Sequence, residues 1–424
     1  MPLAVASLTM NTATLTADGA GAEPISAPPP VPLRDDAVVI GLVGLAHGSS
    51  HFAHLLLPPL FPIFMKEFGL SFAELGLLST VFFAISGTGQ ALSGFLVDRV
   101  GARPVLFASL GCFILACLAG YTAQSYAGLM LVAVFAGLGN APFHPVDFSI
   151  LNQRVSPARL GYAFSAHGLS GNLGWALTPV FLLFFTAWSG WRTGYLAAAA
   201  LYLVIVAVLV FNRAHLHTET VRHPSGGRHG GDAGFLRLPV VWWCFGFFLL
   251  STMTLAVVQN FAVSIMQAVH GVSFESATTM LTAYMLFGAV GIFIGGFVAA
   301  HMPRQSDHVV AWAMGVGAVL MALAATGWLG GFGSMAILAF TGFAVGVGGP
   351  SRDMMIKKAA PKGATGRVYG TVYSGLDLGF AIAPAIYGVF MDSGMYTTTL
   401  MVAAVLLLLS VGAALGVGRR TVLT

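Results

Sequence analysis

Charge is what this sequence lacks most. Of 424 residues only 8% are Asp, Glu, Lys or Arg, whereas 57% are hydrophobic. A soluble chain of this length needs far more charge to cover its surface, so soluble enzymes and soluble binding modules are excluded. A net charge of +4 spread over the whole chain also supplies no basic face for nucleic acid. Cysteine is equally scarce: Cys112, Cys117 and Cys244 all fall inside apolar runs. That excludes a disulfide framework and a thiolate metal cluster. No GxxxxGK[ST] phosphate loop occurs, so nothing in the chain supports ATP drive. Residues 1–36 have little bulky apolar content and lack the basic start and apolar centre of a signal peptide, and they read as a disordered cytosolic tail.

What the chain has instead is apolar length, with a mean hydropathy of +0.85. Runs able to cross about 30 Å of hydrocarbon lie near 37–64, 74–97, 104–123, 126–150, 161–187 and 192–211. A second set lies near 239–266, 277–299, 309–329, 334–356, 367–391 and 395–418. The expected fold is an all-α polytopic membrane protein of twelve spans, with bundles at 37–211 and 239–418. A connector at 212–238 and a short tail at 419–424 complete it. Of the 19 Lys and Arg residues all but Lys66 and Arg192 fall in the tails, the connector or the loops and helix ends on one side. The positive-inside rule then places both termini in the cytosol. His215, His217, His223 and His229 in the connector read as a solvated basic segment.

The two sets repeat each other. Gly69, Ser71, Phe72, Thr80, Gly89, Gly94 and Phe95 recur 202 positions later as Gly271, Ser273, Phe274, Thr282, Gly291, Gly296 and Phe297. Gly137, Pro145, Gly161, Gly174 and Pro179 recur 205 positions later as Gly342, Pro350, Gly366, Gly379 and Pro384. Such a repeat in an apolar chain predicts two six-helix bundles related by pseudo-two-fold symmetry, with a solute site between them. The 53 glycines fit helices that associate by close backbone packing, and Gly291–Gly295 and Gly342–Gly346 have GxxxG spacing. Pro145, Pro179, Pro350 and Pro384 are expected to interrupt helices at equivalent points in both halves.

Between spans two and three the chain reads Gly94-Phe95-Leu96-Val97-Asp98-Arg99-Val100-Gly101-Ala102-Arg103. This resembles the G-x-L-x-D-R-x-G-x-R signature of the major facilitator superfamily. The resemblance implies a gating role for Asp98, Arg99 and Arg103, which brace neighbouring helix ends in one transport state. The second half carries Gly296-Phe297-Val298-Ala299-Ala300-His301 at the equivalent place and has no acid there. In span four, Gly137-Leu138-Gly139-Asn140-Ala141-Pro142-Phe143-His144-Pro145 is similar to the G-x-G-x-x-x-F-H-P segment of fosmidomycin-resistance-like exporters. Gly171-Asn172-Leu173-Gly174 and His51-Phe52 fit the same subgroup. One departure is that Val146 stands between the His-Pro pair and Asp147. This subgroup implies export of a small molecule.

An ionisable or strongly polar group in mid-bilayer needs a reason. His47, His51 and His54 follow at i, i+4 and i+7 and share roughly a 60° arc of one helix face. Asn140, His144 and Asp147 form a second stripe, Gln259 and Asn260 lie in span seven, and Arg352 and Asp353 end span ten. The resemblance implies that spans one, four, seven and ten line the cavity. The histidine stripe suits a solute and proton site. It also fits a transition-metal site or hydrogen bonding between helices, but no Cys or Met cluster accompanies it and no metal or cofactor is assigned. His47, His51, His54, Asn140, His144, Gln259, Asn260 and Arg352 are the expected solute ligands. Asp377 in span eleven and Asp147 are the expected proton-coupling carboxyls, and Asp353 joins the gating residues. Asp147 aligns with Arg352 and Asn172 with Asp377 across the repeat, so these positions differ in charge on a shared frame.

The expected activity is proton-coupled secondary transport of a small organic, anionic solute by alternating access in a bacterial inner membrane, with export favoured. Its partners are the solute, protons and the lipid bilayer, and the chain is expected to be monomeric. Uptake of a carboxylate metabolite is the first alternative. A His-dependent membrane metalloenzyme is the second.

Overall fold

The computed structural model describes residues 32–219, 236–359 and 365–421. The tail before residue 32, the connector over 220–235 with Arg222, His223, Arg228 and His229, and Lys362 lie outside the described residues. Fourteen α-helices are described, with no strand among the described residues. They are α1 (Leu33–His54), α2 (Phe61–Phe68), α3 (Phe72–Val100), α4 (Ala102–Thr122), α5 (Tyr126–Asn140), α6 (Phe143–Arg154), α7 (Leu160–Ser189) and α8 (Trp191–Phe211). The second half contributes α9 (Pro239–His270), α10 (Phe274–His301), α11 (Ser306–Thr326), α12 (Gly330–Ala359), α13 (Thr365–Asp392) and α14 (Tyr396–Thr421). These make twelve spans long and apolar enough to cross a membrane, because α1 with α2 and α5 with α6 each form one.

The repeat appears as repeated helix punctuation. Gly69 and Gly271 end helices in the left-handed conformation at φ 66° and 62°. Ser71 and Ser273 then cap the next helices, α3 and α10. The interruptions, by contrast, are not symmetric. Pro179, Pro350 and Pro384 sit inside continuous helices. Pro145 lies in the first turn of α6, where a missing N–H costs little; the actual break in span four is at Ala141–Pro142. Span one breaks as well, at a 3₁₀ turn over Pro58–Leu60. Buried hydroxyls answer the carbonyls near this break: Tyr195 donates to Leu56 O at 2.7 Å and Thr178 to Phe52 O at 3.1 Å. Spans seven and ten, their counterparts, stay unbroken.

Glycine sets the helix contacts. A Cβ on Gly342 would strike the carbonyl of Tyr284, and one on Gly346 that of Gly288. Gly291 and Gly295 face the backbone of α12 in the same way, so the GxxxG spacing packs α10 on α12. Replacing Gly342 by Leu is therefore expected to force these backbones apart and cost about 1–3 kcal/mol or more. Detergent-solubilised protein should show a lower thermal transition and less monodisperse material. An unchanged transition would mean that the two helices do not pack this closely.

The halves meet along α3 with α13 and α7 with α10. At the end where α3 begins, Gly76 lies against Pro384 O and Gly388 against Phe72 O. Asp392 accepts from Phe72 N at 2.6 Å and Ala73 N at 2.9 Å there, capping α3 from the other half. The contact continues to mid-membrane, where the Asp377 side chain lies against Gly87, whereas a Cβ at Gly94 would meet open space.

Candidate functional site

The two breaks place the polar residues. His51 and His54 occupy the last turn of α1, just before the first break. His144 and Asp147 occupy the start of α6, just after the second. Shortening each helix here gives side chains from two elements access to one volume in the first half. Gly171 on α7 keeps it open, since a Cβ there would lie 2.7 Å from the His51 ring and 3.1 Å from His47 Nε2. Gly174 lets α7 approach Gly48 of α1 backbone to backbone.

Asp147 is fully buried and is the centre of the cluster. His47 Nδ1 and His167 Nε2 each lie 3.0 Å from its Oδ2. The His47 and His167 rings stack with centroids 3.4 Å apart. His51 packs tilted against His47 at 4.5 Å and stacks on His54 at 4.8 Å, with Trp175 4.3 Å away. Trp175 Nε1 donates to His54 Nδ1 at 3.2 Å, which leaves the His54 proton on Nε2, 3.0 Å from Asn140 Oδ1. Asn140 also accepts from Ser50 and donates to Ser86 at 2.7 Å. Asp147 Oδ1 and His51 Nδ1 are buried and have no hydrogen-bond partner.

One path leaves this cluster for the other half. His144 Nδ1 donates to Gln90 Oε1 at 2.7 Å, and Gln90 Nε2 donates to Asp377 Oδ2 at 3.3 Å. The carboxyl of α13 is thus two hydrogen bonds from the imidazole of α6, with α3 carrying the link.

The expected site residues fall into four places. His47, His51, His54, Asn140, His144 and Asp147 lie together in the first half, and Asp377 is linked to them through Gln90. Asn260 is hydrogen-bonded to Ser79 of α3, and Ser79 and His54 line the same small cavity. Gln259 is buried on α9 with Nε2 unpartnered. Arg352 donates to its neighbour Asp353 at 2.9 Å and lies 5.0 Å from the Phe248 ring, on the part of α12 beyond mid-span. Asp98 and Arg99 are exposed in the last turn of α3, and Gly101 at φ 85° turns the chain into α4, whose first N–H is taken by Thr218. Arg103 reaches Arg213 O at 3.5 Å.

His167, Gln90 and Trp175 belong to the site and escaped the sequence reading. His167 and Gln90 each carried a usable signal, a strongly polar side chain deep in an apolar span. Two donor sets lie close enough to share an ion, His47–His51–His144 and His47–Asp147–His167, with donor atoms within 4.8 Å of one another.

A glycine-packed, twofold-repeated bundle with a polar centre admits comparison with known transporters. The profile of the Major Facilitator Superfamily matches residues 43–337 and again 253–422. The chain belongs to the major facilitator superfamily. This superfamily member is 27% identical over 370 residues to the probable nitrate/nitrite transporter NarK2 of Mycobacterium tuberculosis H37Rv, covering 85% of this chain and 90% of that one. It is 23% identical over 275 residues to the fosmidomycin resistance protein of Escherichia coli K12, covering 63% and 66%. In fold it is similar to a bacterial homologue of the human lysosomal transporter Spinster in an inward-facing, unoccupied conformation. That match has a TM-score of 0.72 and 16% identity over 92% of this chain and 98% of the other. The superfamily member is therefore a multi-pass membrane protein of a transporter family, with relatives whose names give different solutes.

Proposed function

We propose that this protein is a proton-coupled secondary transporter of the bacterial inner membrane that exports a small organic anion by alternating access. The observation that carries this reading is the path Asp377–Gln90–His144, which links a membrane-embedded carboxyl of one half to an imidazole of the other whose ring lies 5.5 Å from His47, beside the buried His–Asp–His cluster. Alternating access requires that the halves separate and rejoin in step with binding. A proton taken up or lost at either end of this path changes the hydrogen bonds that join the halves, so protonation and motion share one contact. Imidazoles can take up and release protons, and they carry an anion-attracting charge when protonated. Arg352 adds a permanent cation on the cytosolic side of the expected orientation. The fosmidomycin resistance protein among the relatives supports export, and the nitrate/nitrite relative supports an anion.

Reconstituted vesicles with a defined pH gradient test the reading. Proton flow is expected to drive a small organic anion against its own gradient. A flux indifferent to the pH gradient would remove proton coupling, and solute accumulation by cells with the gradient would argue for uptake. Arg352→Gln is expected to weaken anionic solutes by about tenfold, the scale of one charge-assisted contact of 1.5 kcal/mol, and to leave neutral analogues nearly unaffected. Equal losses for both would reassign Arg352 to the gate with Asp353.

A further inference from the structure

The spacing of His47 and His51 in one helix assigned no metal. The geometry adds two donors from other helices, and they alter that conclusion. We propose that His47 on α1, Asp147 on α6 and His167 on α7 form a binding site for a borderline divalent transition-metal ion such as Zn²⁺, Co²⁺ or Ni²⁺. The claim concerns binding and goes beyond the proton-coupled transport reading, on which it does not depend.

Four observations carry it. First, the donor set is of the right kind: two imidazole nitrogens and one carboxylate oxygen suit these ions, and no thiol or thioether is needed. Second, the spacing is right. Tetrahedral bonds of about 2.0–2.2 Å put neighbouring donors about 3.3–3.6 Å apart. Here both nitrogens lie 3.0 Å from Asp147 Oδ2, and all three donors fall within 4.8 Å of one another. The His47 and His167 rings are stacked with centroids 3.4 Å apart, so admitting an ion requires them to rotate until both lone pairs converge on it.

Third, hydrogen bonding alone leaves the site unfinished. Asp147 Oδ2 takes both imidazoles while Oδ1, on a fully buried residue, has no partner. A buried carboxylate oxygen without a partner is costly, and an ion held by both carboxylate oxygens would engage it. His47 would present its Nδ1 lone pair with the proton on Nε2. His167 would present Nε2 with the proton on Nδ1.

Fourth, the competing donor set is poorer. His47, His51 and His144 include no anionic ligand, so a divalent ion there would keep its full charge in a low-dielectric site. With Asp147 the charge is halved. All three ligands belong to the first half. The ion would thus move with one bundle and survive the separation of the halves.

The test uses the full-length protein in detergent, stripped with chelator and titrated with Zn²⁺, Co²⁺ or Ni²⁺. One ion per chain is expected by elemental analysis after desalting. Co²⁺ should show the intense visible absorption of four-coordinate cobalt. Asp147→Asn and His167→Ala should each weaken binding by more than about tenfold, whereas His51→Ala and His54→Ala should leave it in place. His167→Gln, of similar size and hydrogen-bonding capacity, keeps the test valid if His167→Ala fails to fold. Full stoichiometry retained in both Asp147→Asn and His167→Gln would overturn the site, as would no stoichiometric binding of any of the three ions. Loss in His51→Ala with retention in Asp147→Asn would move the ion to the other donor set and overturn the assignment. Loss of proton-driven flux leaves these binding results unchanged, so the two readings fail separately.

Discussion

Replacing Asp377 by Asn is expected to reduce proton-driven flux to background while solute exchange without a gradient persists. Asn has nearly the same shape, so it keeps the tight contact with Gly87, where the Asp377 Cβ lies 3.0 Å from the position a Cβ on Gly87 would take. Its amide oxygen can still accept from Gln90, which donates to Asp377 across 3.3 Å. What disappears is the titratable proton. An effect of that kind separates coupling from binding, because exchange needs only that the loaded carrier reorient. Gln90→Leu should act on the same link without touching either titratable group. It breaks the path at both ends, leaving His144 Nδ1 and Asp377 Oδ2 without this partner, and it should loosen the ratio of protons to solute. Vesicle flux measured with and without a pH gradient decides both. Proton-driven accumulation retained in Asp377→Asn would remove Asp377 as the coupling carboxyl and leave Asp147 as the candidate.

Much of the scaffold was legible because it is written in local chemistry. Length and hydropathy give the spans, and Gly69/Gly271 with Ser71/Ser273 mark the same helix end and start in each half. The i, i+4, i+7 stripe of His47, His51 and His54 was legible for the same reason, since one helix face fixes it. The partners across helices were not. Nothing local says that His167 of α7 will reach the carboxylate of α6, or that Gln90 will stand between His144 and Asp377. The prolines misled in an instructive way. Pro145 and Pro350 align in the repeat, yet one starts a short helix and the other is carried within a long one. Proline fixes its own φ and removes one donor, but whether a helix breaks depends on what answers the freed carbonyls. In span one Tyr195 and Thr178 answer them. The repeat therefore fixed the frame of each half, and its departures at Pro58–Leu60 and Ala141–Pro142 built the polar site in only one of them.

Gly76→Val is expected to open the end of the bundle where α3 begins and to stop transport in a folded protein. The closed contact there is made by backbone. A Cβ on Gly76 would run into the carbonyl of Pro384, and one on Gly388 would come within 2.6 Å of Phe72 O. Neither partner is a flexible side-chain tip that can swing away. Overpacking of this kind costs about 1–3 kcal/mol, and the whole cost falls on the closed arrangement because Gly76 loses this neighbour once the halves part. A bias of about 3 kcal/mol shifts a two-state equilibrium by more than 100-fold. Against it stand the two hydrogen bonds from Phe72 N and Ala73 N to the Asp392 carboxylate, which sits at the positive end of the α3 dipole. Asp392→Asn should consequently shift the same equilibrium in the same direction by a smaller amount. Spin labels at Lys66 in α2 and Thr397 in α14 report the separation of the halves at this end. The expected result is a longer distance distribution in Gly76→Val, an intermediate one in Asp392→Asn, and flux at background in the first. An unchanged distribution with normal flux in Gly76→Val would show that α3 and α13 never approach this closely during the cycle.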